Sequence, residues 1–338
     1  MKAQLSKWLK WLVALALLAL VFRMIQPADL VARMKNASLG WVLGAFALVF
    51  MNRILMTWKW DILLRHAGVC AGFLNLLKIT LVTGFIGMFL PSNLGVDVSR
   101  LYVLHRQKID LTANASAILG DRIWGVVALV MLSAVFVIPA WHTLADKSVL
   151  VQVFIISVAV LLLIVLLVSR RSFQVGLAWL KQAGAWLEAR AVRHPWAGRA
   201  AAGCARLEAR MDDIHSSLAS QTTSPRTLVP VIILNFMVQL IRVVQIHWLF
   251  LAIGATTLWI HELTFVPLIL LLSLLPISMF GLGVKEGAFV YFFRQVGVDP
   301  ASSLAVSFFT YTLQIVVIVP GLIFFLFGRD KMTVAGKS

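Results

Sequence analysis

Ionisable side chains inside long apolar stretches are the residues of this chain best placed to do chemistry. Asp121 and Arg122 fall about two helical turns inside one stretch, and Arg242 lies near the middle of another. A charge at mid-depth in a bilayer costs at least ~2.5 kcal/mol, so each of these groups must face a partner or water. We expect them to mark the path of an ion or a polar headgroup.

The segment LPSNLGVDVSR, from Leu90 to Arg100, predicts a broken helix with charges beside the break. Pro91 and Gly95 interrupt the helix and leave backbone amides free to face an anion. Asp97 and Arg100 are one helical turn apart, which predicts a local ion pair. The alternative is that an acidic residue here, or Asp121, clamps an arginine only to fix the fold.

A second segment of the same kind runs from Pro276 to Gly287. Gly281, Gly283 and Gly287 permit tight turns. Lys285 can hold a phosphate as a point charge, and Glu286 can balance that charge or exchange a proton. No GxxxxGK[ST] loop is present, so the glycines do not indicate nucleotide binding.

Two other apolar stretches carry a polar stripe at helical spacing. Asn235, Gln239 and Arg242 share one helix face, and Tyr311 and Gln314 belong to a similar face near the end of the chain. Polar stripes on membrane helices face one another or a hydrated cavity. These residues therefore join the predicted substrate site.

The composition predicts an all-α polytopic membrane protein. Of its 338 residues, 61% are hydrophobic and 13% charged, against ~25% charged in soluble domains. Six stretches are predicted to cross the bilayer fully, at 11–22, 41–58, 113–138, 149–168, 228–253 and 303–327. Two more, at 73–90 and 263–280, contain Gly or Pro and are predicted to be broken or re-entrant helices.

The net charge of +16 sets the expected orientation. Basic segments of membrane proteins stay in the cytoplasm, so we expect the linker 169–226 and both termini to be cytoplasmic. That orientation requires the two interrupted stretches to be re-entrant. The linker reads as basic amphipathic helices, lying either on anionic lipid or against the bundle. We expect membrane lipids, not nucleic acid, as partners of the excess charge.

An internal repeat relates the two interrupted segments within a single membrane domain, 1–338. A shift of about 188 residues, with three extra residues in the second copy, places Leu90, Pro91 and Gly95 on Leu275, Pro276 and Gly283. An odd number of crossings separates the copies, so the halves 41–168 and 227–328 are predicted to be inverted. The alternative is chance similarity between apolar helices.

These motifs resemble those of the lysylphosphatidylglycerol synthase transmembrane-region family, which includes the flippase-like domain of the multiple peptide resistance factor. The resemblance is carried by PSNLGVDVSR at 91–100, ILGDRIWG at 118–125, and PIS and GLGVKEG within 276–287. It covers nearly the whole chain, from about Trp41 to Phe327.

The resemblance implies a bacterial inner-membrane protein that moves a phosphate-containing lipid between leaflets. An aminoacylated phospholipid or a polyprenyl-phosphate-linked sugar would be such a lipid. A separate glycosyltransferase or lipid synthase is an expected partner, and the sequence is compatible with an oligomer. We expect no catalytic residue, metal or cofactor. The alternatives are an accessory subunit of a lipid glycosyltransferase and an enzyme acting on lipid phosphates.

Overall fold

The computed structural model describes residues 27–87, 95–107, 109–144, 146–191, 195–274 and 282–327. Within these ranges the chain forms twelve α-helices and no strand. They are α1 (Pro27–Lys35), α2 (Leu39–His66), α3 (Phe73–Gly87), α4 (Gly95–Arg106), α5 (Leu111–Ala140), α6 (Lys147–Val168), α7 (Arg170–Ala191), α8 (Pro195–Thr223), α9 (Pro225–Ala252), α10 (Trp259–Ser273), α11 (Val284–Arg294) and α12 (Pro300–Phe327).

Five of the described helices, namely α2, α5, α6, α9 and α12, are long and apolar enough to cross a membrane. They correspond to five of the six predicted crossings, and the sixth, at 11–22, lies outside the described residues. The interrupted stretches form α3 and α10, each 15 residues long. At 1.5 Å per residue, 15 residues span about 22 Å, less than the ~30 Å hydrocarbon core. The described part of neither helix is therefore long enough to cross a bilayer.

The helices fall into two series of matching length. The first series, α2 to α5, has 28, 15, 12 and 30 residues, and the second series, α9 to α12, has 28, 15, 11 and 28. The first two pairs start at 39 and 225 and at 73 and 259, an offset of 186. The last two start at 95 and 284 and at 111 and 300, an offset of 189. Three extra residues therefore enter the second series between α10 and α11.

Equivalent aspartates begin the last helix of each series. Asp110 Oδ2 accepts a hydrogen bond from the amide of Ala113 (2.8 Å), and Asp299 Oδ1 accepts one from the amide of Ser302 (2.9 Å). An aspartate in this position satisfies an amide that the helix itself leaves unpaired. The two caps therefore define the starts of α5 and α12 in the same way.

The first helices of the two series, α2 and α9, pack antiparallel along their length. The amide of Ser38, just before α2, donates to the carbonyl of Ala252 at the end of α9 (2.7 Å). At the other end, the Oγ1 of Thr227 lies 2.8 Å from Nδ1 of His66. The two helices run in opposite directions, and their contact joins the first series to the second.

Each short apolar helix packs against the last helix of the other series. In one contact, Gly321 of α12 lies directly against the backbone of Leu81 in α3. In the other, Ser133 Oγ of α5 donates to the carbonyl of Thr264 in α10 (2.7 Å). The series are therefore interlocked and share one bundle.

The second short helix of each series runs back beside the first. Asn75 Nδ2 near the start of α3 donates to Gln107 Oε1 just after α4 (3.3 Å), beside the start of α5. In the second series, the rings of Phe265 in α10 and Phe292 in α11 lie 5.3 Å apart. The start of α10 lies at the opposite end of the bundle, where His261 Nε2 is 2.9 Å from Thr143 Oγ1, just after α5. The start of α3 and the start of α10 therefore lie at opposite ends of the bundle, so the α3–α4 pair and the α10–α11 pair point in opposite directions.

Residues between the spans form an amphipathic helical hairpin, α7–α8. Ser217 Oγ of α8 donates to Ser116 Oγ of α5 (2.9 Å), and Ser220 Oγ lies 3.0 Å from Nε2 of His66. Trp179 on α7 is exposed. The hairpin thus contacts the bundle through α8 and leaves an apolar face of α7 uncovered.

Candidate functional site

A cavity of about 300 Å³ lies between the two series and is lined by seven of their eight helices. Its lining contains six cationic and two anionic side chains, with several uncharged polar groups beside them. These residues are Arg53, Lys59, Asp97, Arg100, Asp121, Arg122, Gln239, Arg242, Ser273, Lys285, Tyr311 and Gln314. The cavity therefore carries a formal charge of +4.

Asp121 of α5 holds two cations from different helices. Lys59 Nζ of α2 lies 2.6 Å from Asp121 Oδ1, and Arg100 Nη1 of α4 lies 3.9 Å from Asp121 Oδ2. Lys59 Nζ also donates to Asn235 Oδ1 of α9 (2.7 Å). Lys59 and Arg100 are each only 3% exposed, so an unpaired charge on either residue would be costly. One carboxylate therefore ties α2 and α4 to α5.

Asp97 pairs with Arg122 instead of forming the predicted local pair with Arg100. Both Nε and Nη2 of Arg122 lie 2.6 Å from Asp97 Oδ2. Arg100, one turn along the same helix, reaches Asp121 and stacks over the ring of Trp60, 4.8 Å from its centroid. Both ion pairs therefore join α4 to α5: Asp97 pairs with Arg122, and Arg100 pairs with Asp121.

The other three cations in the lining make no ion pair with an acidic side chain of the described residues. They are Arg53, Arg242 and Lys285. Arg242 Nη1 donates to Gln239 Oε1 (3.2 Å), and Lys285 Nζ lies 3.9 Å from the centroid of the Tyr311 ring. Hydrogen bonds to amides and contacts with a ring do not neutralise a cation, so this part of the cavity favours an anion.

The first described turns of α4 and α11 meet the same cavity. Val96 and Asp97 of α4 and Lys285 of α11 belong to its lining. The N-terminus of a helix carries partial positive charge on its unpaired amides. The start of α11 therefore adds to the field of the six cations.

Glu286 lies outside the cavity lining, next to Lys285. Its Oε2 accepts a hydrogen bond from the amide of Gly283 (2.7 Å), and its Oε1 accepts one from Ser307 Oγ (3.3 Å). A glutamate at the third position of a helix caps the amide before the first turn in this way. In this position Glu286 orients the start of α11 and stands behind Lys285.

The predicted turn residues have different outcomes. Gly283 has a φ of 82°, a conformation that other residues rarely adopt, and it ends the turn before α11. Gly95 is the first described residue of α4, and the residues before it lie outside the described ranges. Gly287 is a correction: it lies inside α11, where its amide donates to the carbonyl of Gly283 (2.9 Å), so no turn forms there. Pro91, Pro276 and Gly281 lie outside the described residues.

Most of the predicted substrate-binding residues come together at this cavity. Asp97, Arg100, Asp121, Arg122, Gln239, Arg242, Lys285, Tyr311 and Gln314 line it, and Asn235 contacts it through Lys59. Sequence reasoning did not place Arg53 and Lys59 in the site. Their charges could have identified them, because two cations six residues apart in an apolar helix are costly in a bilayer and need a partner there.

The fold and the cavity define a class: an all-α polytopic membrane protein with a strongly cationic cavity between its helices. The chain belongs to the family described as the lysylphosphatidylglycerol synthase TM region, whose model matches residues 7–321. It is also similar to a UPF0104 membrane protein of Methanothermobacter thermautotrophicus. The two are 23% identical over 305 residues, which cover 87% of this chain and 86% of the relative.

Proposed function

We propose that the protein is a translocase that moves a phosphate-containing lipid between the leaflets of the membrane. The observation that carries the proposal is the cavity between the two series, with six cations and two carboxylates in its lining. Arginine and lysine are the side chains that hold phosphate oxygens in proteins. A membrane protein that keeps them in an interior cavity has a place for a headgroup in transit.

The cavity lining also contains apolar residues, which suits a lipid. They include Val126 and Leu129 of α5 and Leu270 and Leu274 at the end of α10. The volume of about 300 Å³ is at the lower end for small-ligand sites. It accommodates a headgroup but not two acyl chains, so the tails would remain in the bilayer.

The arrangement of the helices supports an inverted repeat, with 41–168 and 227–328 as its halves. The two series match in length, their first helices pack antiparallel, and their short pairs point in opposite directions. Such repeats let one half rock against the other around a fixed central site. We propose that this motion exposes the cavity to each leaflet in turn.

The lining favours transport over catalysis. Among the described residues, both carboxylates of the cavity are held in ion pairs with Lys59, Arg100 and Arg122. A carboxylate engaged in this way is a poor general base, because its basic lone pairs already face cations. Hydrolysis of a lipid phosphate would need a general base, and neither described carboxylate of the lining is free to act as one.

We place the protein in a bacterial inner membrane with both termini and the α7–α8 hairpin in the cytoplasm. Support comes from the cations of the chain segment between α6 and α9, which follow the usual bias of cytoplasmic segments. A glycosyltransferase or lipid synthase on that side would supply or consume the transported lipid.

Reconstitution in proteoliposomes tests the translocase. The probe is phosphatidic acid with an NBD-labelled acyl chain, and external dithionite bleaches only the outer leaflet. We expect wild type to increase the bleached fraction above that of protein-free vesicles. Arg242→Gln and Lys285→Gln should slow the transfer, whereas Lys181→Gln, on the exposed face of α7, should not.

Two outcomes would contradict the proposal. In one, wild type leaves the bleached fraction at the level of protein-free vesicles, as an accessory subunit of a glycosyltransferase would. In the other, release of free phosphate or a changed headgroup accompanies transfer, as expected of a lipid-phosphate enzyme. Thin-layer chromatography of the recovered lipid detects the second outcome.

A further inference from the structure

The acidic residues of this chain are few enough to account for individually. The sequence has 14 Asp and Glu residues, and the segments outside the described residues contain one of them, Asp330. The described helices of the two series contain five of the 14: Asp61, Asp97, Asp121, Glu262 and Glu286. Their contacts decide which headgroups the cavity accepts.

Each buried carboxylate within the two series is already engaged. Asp97 and Asp121 are in the ion pairs described above. Asp61 lies 2.9 Å from Arg65 Nη2, and Glu286 caps α11. Glu262 lies 2.9 Å from Nδ1 of His247. An ammonium group entering the cavity would find both carboxylates of the lining, Asp97 and Asp121, already paired with cations.

Three cations of the cavity lining, in contrast, make no ion pair with a described acidic side chain. Arg53, Arg242 and Lys285 come from α2, α9 and α11 and line the same cavity, where Arg242 repels the other two. Asp121 attracts Arg242 and Glu286 attracts Lys285, but neither carboxylate forms an ion pair with them. Repulsion between buried like charges is relieved when an anion enters between them. A single negative charge neutralises one of the three cations, and a headgroup with two negative charges neutralises two of them.

We infer that the headgroup carried by this cavity bears at least two negative charges, as a phosphate monoester or a diphosphate does. This inference rests on the proposed translocase and narrows its substrate. A monoester carries about −1.5 to −2 at neutral pH because its second pKa is near 6, whereas a phosphodiester carries one charge. An aminoacylated phospholipid adds an ammonium group, and the cavity disfavours it.

Four lipids with the same dioleoyl tails test the inference by headgroup charge. They are diacylglycerol diphosphate, phosphatidic acid, phosphatidylglycerol and lysyl-phosphatidylglycerol. Each is titrated into the purified protein in neutral detergent, and tryptophan fluorescence gives the Kd. We expect phosphatidic acid and the diphosphate to bind about tenfold tighter than phosphatidylglycerol, a difference of about 1.4 kcal/mol. Lysyl-phosphatidylglycerol should bind most weakly.

The three cations should carry that preference. Arg53→Gln, Arg242→Gln and Lys285→Gln should each weaken the binding of phosphatidic acid by about tenfold, while changing that of lysyl-phosphatidylglycerol little. Lys147→Gln is the matched control, since Lys147 is exposed at the start of α6 and lies against Trp141. It should leave all four constants unchanged.

Failure of this inference is distinguishable from failure of the translocase. Lysyl-phosphatidylglycerol binding as tightly as phosphatidic acid would overturn the charge assignment and leave translocation standing. Unchanged binding of phosphatidic acid in all three glutamine variants would also overturn it. Tight, charge-selective binding without transfer in vesicles would retain the charge assignment and overturn the translocase.

Discussion

Lys59 and Asp121 meet at 2.6 Å in the interior of the bundle and join α2 to α5. The pair is nearly inaccessible, with side-chain exposures of 4% and 12%. Asp121 also faces Arg100 at 3.9 Å, so one carboxylate compensates two cations. The contact therefore matters for stability as well as for the charge of the cavity.

Asp121→Asn should destabilise the protein more than Lys59→Met. Removing one partner of a buried ion pair costs about 3–5 kcal/mol. Loss of Asp121 leaves two cations uncompensated, whereas loss of Lys59 leaves Asp121 beside Arg100. Thermal unfolding in detergent measures both variants, with Lys147→Gln as control. Equal melting temperatures for Asp121→Asn and wild type would contradict this assignment.

The Asp97 and Arg122 pair should show a measurable coupling. Asp97→Asn and Arg122→Gln each break two short contacts between α4 and α5. We expect the double variant to lose less stability than the sum of the two singles, by about 1 kcal/mol or more. A double-mutant cycle on thermal unfolding measures the coupling. Strict additivity would mean that Asp97 acts on another group, such as Arg100.

Gly321 should tolerate no side chain. A methyl group there would overlap the carbonyl of Leu81, and backbone atoms of α3 cannot move aside as a flexible side chain can. We expect Gly321→Ala to cost about 1–3 kcal/mol through overpacking. Gly40→Ala is the matched control, because no atom lies within 4 Å of a methyl group there. Its melting temperature should be unchanged or higher, and a fall equal to that of Gly321→Ala would refute the argument.

Asp299 should make part of the stability depend on pH. Partial burial acts to raise its pKa, but hydrogen bonds from Ser302 and the charge of Arg33, 3.2 Å away, together lower the pKa below its usual value. A lowered pKa contributes stability above the unfolded value of about 3.9. That contribution is lost as the pH falls through the folded pKa.

Two substitutions separate the charge of Asp299 from its cap. Asp299→Asn keeps an N-cap acceptor, so its melting temperature should fall below wild type at neutral pH and approach it in acid. Asp299→Ala loses the cap as well, by about 1 kcal/mol, at both pH values. A constant difference between wild type and Asp299→Asn across the titration would show that the charge makes no contribution.

The sequence predicts the class, the described crossings and most of the polar residues that line the cavity, because a bilayer makes polar residues conspicuous. Arg242 stands out in an apolar helix, and Gly and Pro mark the two short apolar helices. Lys59 was missed because the second crossing was predicted to end at Trp58, where interfacial tryptophans are typical. The structure continues α2 to His66, which places Lys59 well inside the helix.

The partners of the charged residues could not be predicted. Asp97 and Arg100 have the spacing of a local pair, and Asp121 and Arg122 are adjacent in sequence. Which of the four meet depends on how α4 is rotated against α5, and spacing along one helix does not contain that angle. The cap made by Glu286 could not be predicted either, because it depends on the turn at Gly283.

The ion-paired side chains of the cavity have a common place in the chain: Lys59, Asp97, Arg100, Asp121 and Arg122 all belong to the first series. Chains are made from the N-terminus, so these groups leave the ribosome before Arg242 and Lys285. Each carboxylate can pair with its cations as soon as α5 is inserted, which lowers the cost of holding charge in the half-made membrane domain. Arg242 of α9 and Lys285 of α11 then join a bundle in which Arg53 is the one first-series cation of the lining without an ion-pair partner among the described residues.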